Sequence, residues 1–187
     1  KSEASTSVVC TDFTRVAGEC MDFFKPYLEK SKITFEQRWP ATGLSVESYE
    51  GALETVVLNL VQNAINALVK SDEPRSIRIE ASENGDLAKF VISDTGPGIP
   101  AERLANLWQK FGYSQTGEEK AAEKKPERGS VRKAGGSGFG MYGIKKVVER
   151  IGGKIEVETG SAGTRFIISM PKKMAQSTIA AATRVAA

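Results

Sequence analysis

Apolar residues recur at helical spacing over residues 9–29, with Val9, Phe13, Val16, Ala17, Cys20, Phe23, Phe24 and Leu28 on one side, which predicts an amphipathic helix. Residues 33–39 then alternate between apolar and polar and predict a strand ended by Pro40. A short strand near 44–46 leads into a long helix from about Ser48 to Lys70, closed by Ser71, Asp72 and Pro74. Two further strands, 76–82 and 87–93, flank Glu83-Asn84-Gly85-Asp86; Asn-Gly between alternating apolar residues is a hairpin signal. A turn over 94–100 precedes a short helix from Ala101 to about Trp108. Residues 112–136 show no periodicity and are rich in Lys, Glu, Gly and Ser, too long for an idle connection, which makes a lid the expectation. A helix over about 139–151, ended by Gly152-Gly153, and a hairpin of 154–159 with 164–170 complete the pattern. Strands arriving in pairs between helices predict an α/β two-layer sandwich: a mixed β-sheet covered on one face by three main helices, rather than a doubly wound sheet.

Composition narrows the chemistry. The chain has 187 residues, enough for one domain with a real core, and no internal repeat. Its 26 Lys and Arg against 23 Asp and Glu give a net charge of +3, too small to imply nucleic-acid binding. No apolar tract is long enough for a transmembrane helix, and no signal peptide is evident. The first residue is Lys1, which suggests a piece of a longer protein. Cys10 and Cys20, placed on one helix by the periodicity, make a poor disulfide framework; small apolar residues in a reducing cytosol are the expectation. The chain contains no histidine. That removes Ser-His and Cys-His catalytic pairs and most transition-metal sites, leaving carboxylates, amides, glycines, basic residues and a hard cation.

Three constellations could carry such chemistry. In the long helix, Asn59, Asn63 and Asn66 share a stripe beside the apolar one of Leu53, Val56, Val57, Leu60, Val61, Ala64 and Leu68. Asn is a poor residue for a helix interior, so three together suit either a solvated face or a row of amides facing a ligand, one oxygen placed for Mg²⁺. Asp94 follows the buried run Phe90-Val91-Ile92 and requires a donor there. It is either a turn aspartate or an acceptor for an exocyclic amine, with Gly96 and Gly98 letting backbone approach a flat ring. Gly135-Gly136-Ser137-Gly138-Phe139-Gly140-Met141 opens a helix, as a hinge or as a phosphate-binding nest. It is neither a Walker loop nor a dinucleotide turn. Arg128, Arg132 and Lys133, a solvated loop by default, would meet phosphate charge if the nest is one.

In this order and spacing, the motifs resemble those of the GHKL superfamily, and within it the catalytic domain of sensor histidine kinases, with its Bergerat ATP-binding fold. Residues 59–67 resemble the N box, 94–99 the first glycine box, 107–111 the F box, 136–141 the second glycine box, and Gly163-Thr164-Arg165-Phe166 the Gly-Thr pair before the last strand. The match covers roughly 9–171, which implies a linker at 1–8, a catalytic domain at 9–171 with its lid at about 112–135, and a flexible tail at 172–187.

The resemblance also implies roles. Asp94 would accept from the adenine amino group, Gly96, Gly98 and Ile99 would shape the pocket, and Thr164 would help hold the ring through water. Asn63 would ligate Mg²⁺ between the phosphates of ATP. Gly136, Ser137, Gly138, Phe139, Gly140 and Met141 would wrap those phosphates with Arg132 nearby, and Phe111 would anchor a lid that orders over nucleotide. Asn59 stands where the superfamily's hydrolases carry a Glu base; an amide takes no proton at neutral pH, which favours saving the γ-phosphate for another side chain. The asparagine at position 66, where many members carry Lys or Arg, looks more like the nitrogen- and dicarboxylate-sensing branch. Phe139 and Met141 replace the more usual leucines.

The function implied is donation of the γ-phosphate of ATP–Mg²⁺ to a histidine on an upstream dimerisation domain, and thence to a response regulator. The expected partners exclude nucleic acid and membrane contact by this stretch; the expected whole is a cytoplasmic homodimer, an inner-membrane anchor being left open. The alternatives weighed are a GHKL serine kinase or anti-sigma regulator, and a non-catalytic scaffold that recruits a response regulator.

Overall fold

The computed structural model describes residues 7–71, 74–109 and 140–175. Two compact units partition the chain, one of residues 1–99 with 144–187 and one of 100–143.

The larger unit opens with a strand, β1 (Val8–Asp12), not with a helix. The run Val8-Val9-Cys10-Thr11 has the stiff side chains of a strand, and it pairs antiparallel with β3 (Ser45–Tyr49), Thr11 opposite Val46. Asp12 then caps α1 (Phe13–Lys30): its carboxylate accepts from the Thr14 N–H at 2.9 Å and the Arg15 N–H at 3.4 Å, satisfying donors that the first turn leaves open. The helical reading of 9–29 therefore starts four residues early, because Val9 matches the helical period by chance of spacing. Cys10 lies exposed in β1 and Cys20 buried in α1, so the two do not share a helix, and both are free thiols.

A similar correction applies at the second helix. Ser48, expected at its start, is buried in β3, its hydroxyl 3.1 Å from that of Thr11. The helix α2 (Ala52–Leu68) begins only after Gly51 turns the chain. The long-range pairing of β1 with β3 overrides a locally helical pattern, as tertiary contacts commonly do.

The main sheet has five strands in the order β2-β4-β5-β7-β6, comprising β2 (Ile33–Arg38), β4 (Arg75–Asn84), β5 (Leu87–Asp94), β6 (Lys154–Gly160) and β7 (Gly163–Pro171). Only β2 and β4 run parallel; the others are antiparallel, which makes the sheet mixed. Asn84 pairs with Leu87, so β4 and β5 form the hairpin that the Asn-Gly signal predicts, but its two-residue turn is Gly85-Asp86, one residue on from Asn-Gly itself.

Alternate residues of the strands, among them Ile79, Phe90, Ile92, Phe166 and Ile168, are buried under the helices. The apolar stripe of α2 (Leu53, Val56, Val57, Leu60, Val61, Ala64 and Leu68) is buried on β4 and β5. Phe13 at the start of α1 stacks on Phe90 of β5 with ring centroids 3.8 Å apart. In α4 (Gly140–Arg150), Val148 lies on the Gly153–Met170 corner. The sandwich of one mixed sheet and one helix layer is thus as predicted, except that the consecutive strands β2 and β3 do not pair: β3 joins β1 in a separate two-stranded sheet. Residues 172–175 do not fray: the Lys172 N–H donates to the Asp86 carbonyl and the Met174 N–H to the Glu47 carboxylate, and Met174 is buried. In the smaller unit the described residues include a short helix, α3 (Ala101–Ala105), three residues shorter than expected.

Candidate functional site

Asp94 ends β5, the central strand, and the register places it opposite Ile77 of β4 and Thr164 of β7. Thr164 in turn pairs with Thr159 of β6. Asp94 continues the inward series Ala88, Phe90, Ile92, and Thr164 the inward series of Phe166, Ile168 and Met170, so both belong to the face that carries the helices. An apolar row would close the sheet here; this sheet ends instead on an acid and two hydroxyls.

The carboxylate accepts the Gly96 N–H at 2.8 Å. Burial raises its pKa to about 6, against a downward pull from the backbone N–H groups of Gly96 and Thr164. A carboxylate has about four acceptor positions, so two N–H groups leave capacity for a further donor. A partly buried acid with acceptor capacity left by its partners among the described residues could receive a further donor.

The loop after Asp94 is tied at both ends. Thr95 extends the β4 pairing: its N–H donates to the Ser76 carbonyl at 3.1 Å, while its hydroxyl accepts the Ser76 N–H at 2.9 Å and donates to the Pro74 carbonyl at 3.1 Å. At the other end the Ile99 N–H donates to the Thr159 hydroxyl at 2.8 Å.

The packing of the fold itself requires glycine in this loop. A Cβ on Gly96 would sit 2.8 Å from the Asp94 carboxylate and 3.2 Å from the Ala67 methyl of α2. On Gly98, whose φ is +77°, it would overlap the Gly160 carbonyl, and on Gly163, with φ +130°, the Asp94 carbonyl. The protein's own backbone therefore occupies the space at Gly98 and Gly163, and both dihedrals disfavour any side chain.

The contact of Gly96 with Ala67 orients α2. Asn59, Asn63 and Ala67 follow at four-residue steps and hence share one helix edge, half-buried, which ends on the Asp94 loop. Asn59 donates to the Thr55 carbonyl of its own helix at 2.7 Å, and Asn66 accepts from the Gln62 amide at 3.1 Å. The amides of Asn59 and Asn66 are thus engaged along the helix itself. No group of three or more His, Cys, Asp or Glu side chains suited to a metal exists among the described residues. A hard cation here would take an amide oxygen such as that of Asn63 and complete its shell from its ligand and water, which suits Mg²⁺ better than a transition metal.

The structure thus gathers Asp94, Gly96, Gly98, Ile99 and Thr164 with the asparagine edge of α2. Gly140 and Met141 open α4. Phe111, Arg132, Gly136, Ser137, Gly138 and Phe139 lie outside the described residues. Sequence reasoning missed Thr159, Thr95 and Ala67. For Thr159 the signal was present: Ile155, Val157 and Thr159 alternate, and the third is a polar residue at an inward position.

Residues 48–174 match the family described as histidine kinase-, DNA gyrase B- and HSP90-like ATPases. A curated relative, the C4-dicarboxylate transport sensor protein DctB of Rhizobium meliloti, is 31% identical over 133 residues, covering 71% of this chain and 18% of that protein. The fold is similar to that of the catalytic domain of histidine kinase ThkA, with a TM-score of 0.67 at 24% identity over 90% of this chain and 99% of that one. ThkA has also been solved in complex with the response regulator protein TrrA, at a TM-score of 0.63 and 22% identity over 88% of this chain and 42% of that one. Full-length ShkA in complex with AMPPNP matches with a TM-score of 0.69 and 20% identity, over 93% of this chain and 33% of that one.

Proposed function

The chain belongs to the histidine kinase-, DNA gyrase B- and HSP90-like ATPases, and from that premise we propose that it binds ATP–Mg²⁺ and donates the γ-phosphate to a histidine outside this sequence. One observation carries the reading: the sheet row that ends on Asp94 and Thr164 meets, through the Gly96–Ala67 contact, the helix edge of Asn59 and Asn63. A base-recognising acid and a metal-binding amide then face one ligand, spaced by a single helix.

Asp94 accepts the adenine amino group with the acceptor capacity that Gly96 and Thr164 leave open. Thr164 orders the ring edge through its hydroxyl. Asn63 offers its carbonyl oxygen to Mg²⁺, which when bound neutralises phosphate charge. Asn59 cannot serve as a base, so water is not activated at that position and the phosphate is kept for transfer. What the protein contributes is position and charge, since phosphoryl transfer asks for little covalent help.

Residues 9–171 form the catalytic domain in this reading, with 112–135 as its lid and 1–8 as a linker. The chain spans 18% of the length of DctB, so the whole protein's partners belong to the proposal. They are an upstream dimerisation domain bearing the histidine and, by likeness to the ThkA–TrrA complex, a response regulator. The whole acts as a cytoplasmic homodimer, with or without a membrane anchor; no helix among the described residues is long and apolar enough to cross a membrane.

The test is calorimetric titration of the chain with ATP in the presence of Mg²⁺. Binding in the micromolar range, with GTP much weaker, is expected. No binding would remove the catalytic reading and favour a scaffold of the same fold.

A further inference from the structure

The hydroxyl of Thr159 meets three groups. It accepts the Ile99 N–H at 2.8 Å, lies 3.2 Å from the Thr164 hydroxyl, and lies 3.3 Å from the Gly163 carbonyl, to which it can donate. Its neighbours are thus the last residue of the loop after Asp94, the buried hydroxyl on the row of Asp94, and the glycine packed on the Asp94 carbonyl.

A hydroxyl has one proton and two lone pairs. One lone pair of Thr159 is taken by Ile99. The proton goes either to the Gly163 carbonyl or to Thr164, and this choice sets the polarity of Thr164. If Thr159 donates to Gly163, its second lone pair receives the Thr164 proton, and Thr164 faces the pocket as an acceptor. If it donates to Thr164, then Thr164 keeps its own proton to donate. Without the Thr159 hydroxyl, the Ile99 N–H loses its partner and the Thr164 rotor is unconstrained. A loop tied at both ends becomes tied only at its Asp94 end, through Thr95 and the Gly96 N–H.

From this geometry we infer that Thr159 is a positioning residue of the nucleotide pocket, holding the Ile99 end of the loop and the Thr164 hydroxyl in register for the base. The inference rests on the nucleotide reading above. It concerns the base end of the ligand and not its phosphates, since every group that Thr159 touches belongs to the Asp94 row or its loop.

The experiment compares Thr159→Val, which keeps the shape and loses the hydroxyl, with Thr159→Ser, which keeps the hydroxyl. Calorimetric affinities for ATP–Mg²⁺, GTP–Mg²⁺ and Mg²⁺–tripolyphosphate are measured on the full 187-residue chain, with hydrogen exchange at the Ile99 amide as a local readout. The expected result is a roughly tenfold loss of ATP affinity in Thr159→Val, a reduced preference for ATP over GTP, unchanged tripolyphosphate affinity, and faster exchange at Ile99. Thr159→Ser is expected to stay near wild type. Thr159→Ala takes the place of the valine variant if that one does not fold. Wild-type ATP affinity in the hydroxyl-free variant overturns the inference, as do equal losses in the serine and valine variants or equal losses for ATP and tripolyphosphate. Failure of the wild-type chain to bind ATP is a separate outcome, which overturns the nucleotide reading and this inference with it.

Discussion

At the scale of the residue, Asp94 carries the most chemistry, and its own titration tests it. Its pKa in the fold is about 6, above the ordinary 3.8, because burial penalises the charge. For an acid raised in this way the favourable contribution to folding is fully present below 3.8 and lost as pH rises through 6. The free chain should therefore be less stable at pH 7.5 than at pH 5 by a term on the order of 1 kcal/mol from this group, and Asp94→Asn should remove that term. Thermal melts of both proteins at the two pH values check it. Affinity for ATP runs the other way: the ionised form accepts the amine, so binding is full above pH 6 and weakens below it. Asp94→Asn can still accept the Gly96 N–H through its remaining oxygen, but it presents an N–H pair to an amine that is itself a donor. ATP affinity should fall about 10- to 100-fold at pH 7.5 while the melting temperature rises. Unchanged affinity by calorimetry would take the adenine contact away from Asp94. At Gly163 a methyl would overlap the Asp94 carbonyl in a φ that side chains avoid. Gly163→Ala should cost roughly 1–3 kcal/mol, seen as a lowered denaturation midpoint, with ATP affinity reduced as well.

At the scale of the element, α2 does two jobs on adjoining faces. One buries Leu53, Val57, Leu60 and Leu68 on the sheet, and Leu60→Ala should cost roughly 2–5 kcal/mol in chemical denaturation. The other edge bears Asn59 and Asn63 and reaches the Asp94 loop at Ala67. Asn63→Ala should bind ATP in EDTA as the wild type does and lose the gain that Mg²⁺ confers. A variant that kept that gain would show that the metal takes its oxygen elsewhere. The strand β6 is as informative in its way: Ile155 and Val157 anchor it, and Thr159 at its inward end serves the loop.

At the scale of the whole molecule, the absence of histidine from the chain makes the two halves of the proposed reaction separable. Incubated with radiolabelled ATP, the chain should acquire no acid-labile phosphohistidine, while a histidine-bearing dimerisation domain added in trans should become labelled. Nucleotide should also stabilise the fold by linkage: at 100 times Kd the gain is about 2.7 kcal/mol. A rise in melting temperature of roughly 5–10 °C follows for a chain of this size.

The sequence alone determined the hairpins β4–β5 and β6–β7, the helix layer and the identity of the polar groups, because periodicity, turn chemistry and the departures from both are local properties. Three asparagines in one helix and an acid after a buried run are conflicts with local preference, visible without coordinates. Where local preference misleads, the pairing partner is far along the chain: Val9 and Ser48 read as helix until β1 meets β3. Only the tertiary structure decided what those residues face. It set Asp94 beside Thr164 and Thr159 by strand register, turned the asparagine edge toward them through Gly96 and Ala67, and showed that Gly98 and Gly163 are bare because backbone lies against them. Register and close approach join residues from distant parts of the chain, and no window along the sequence contains them.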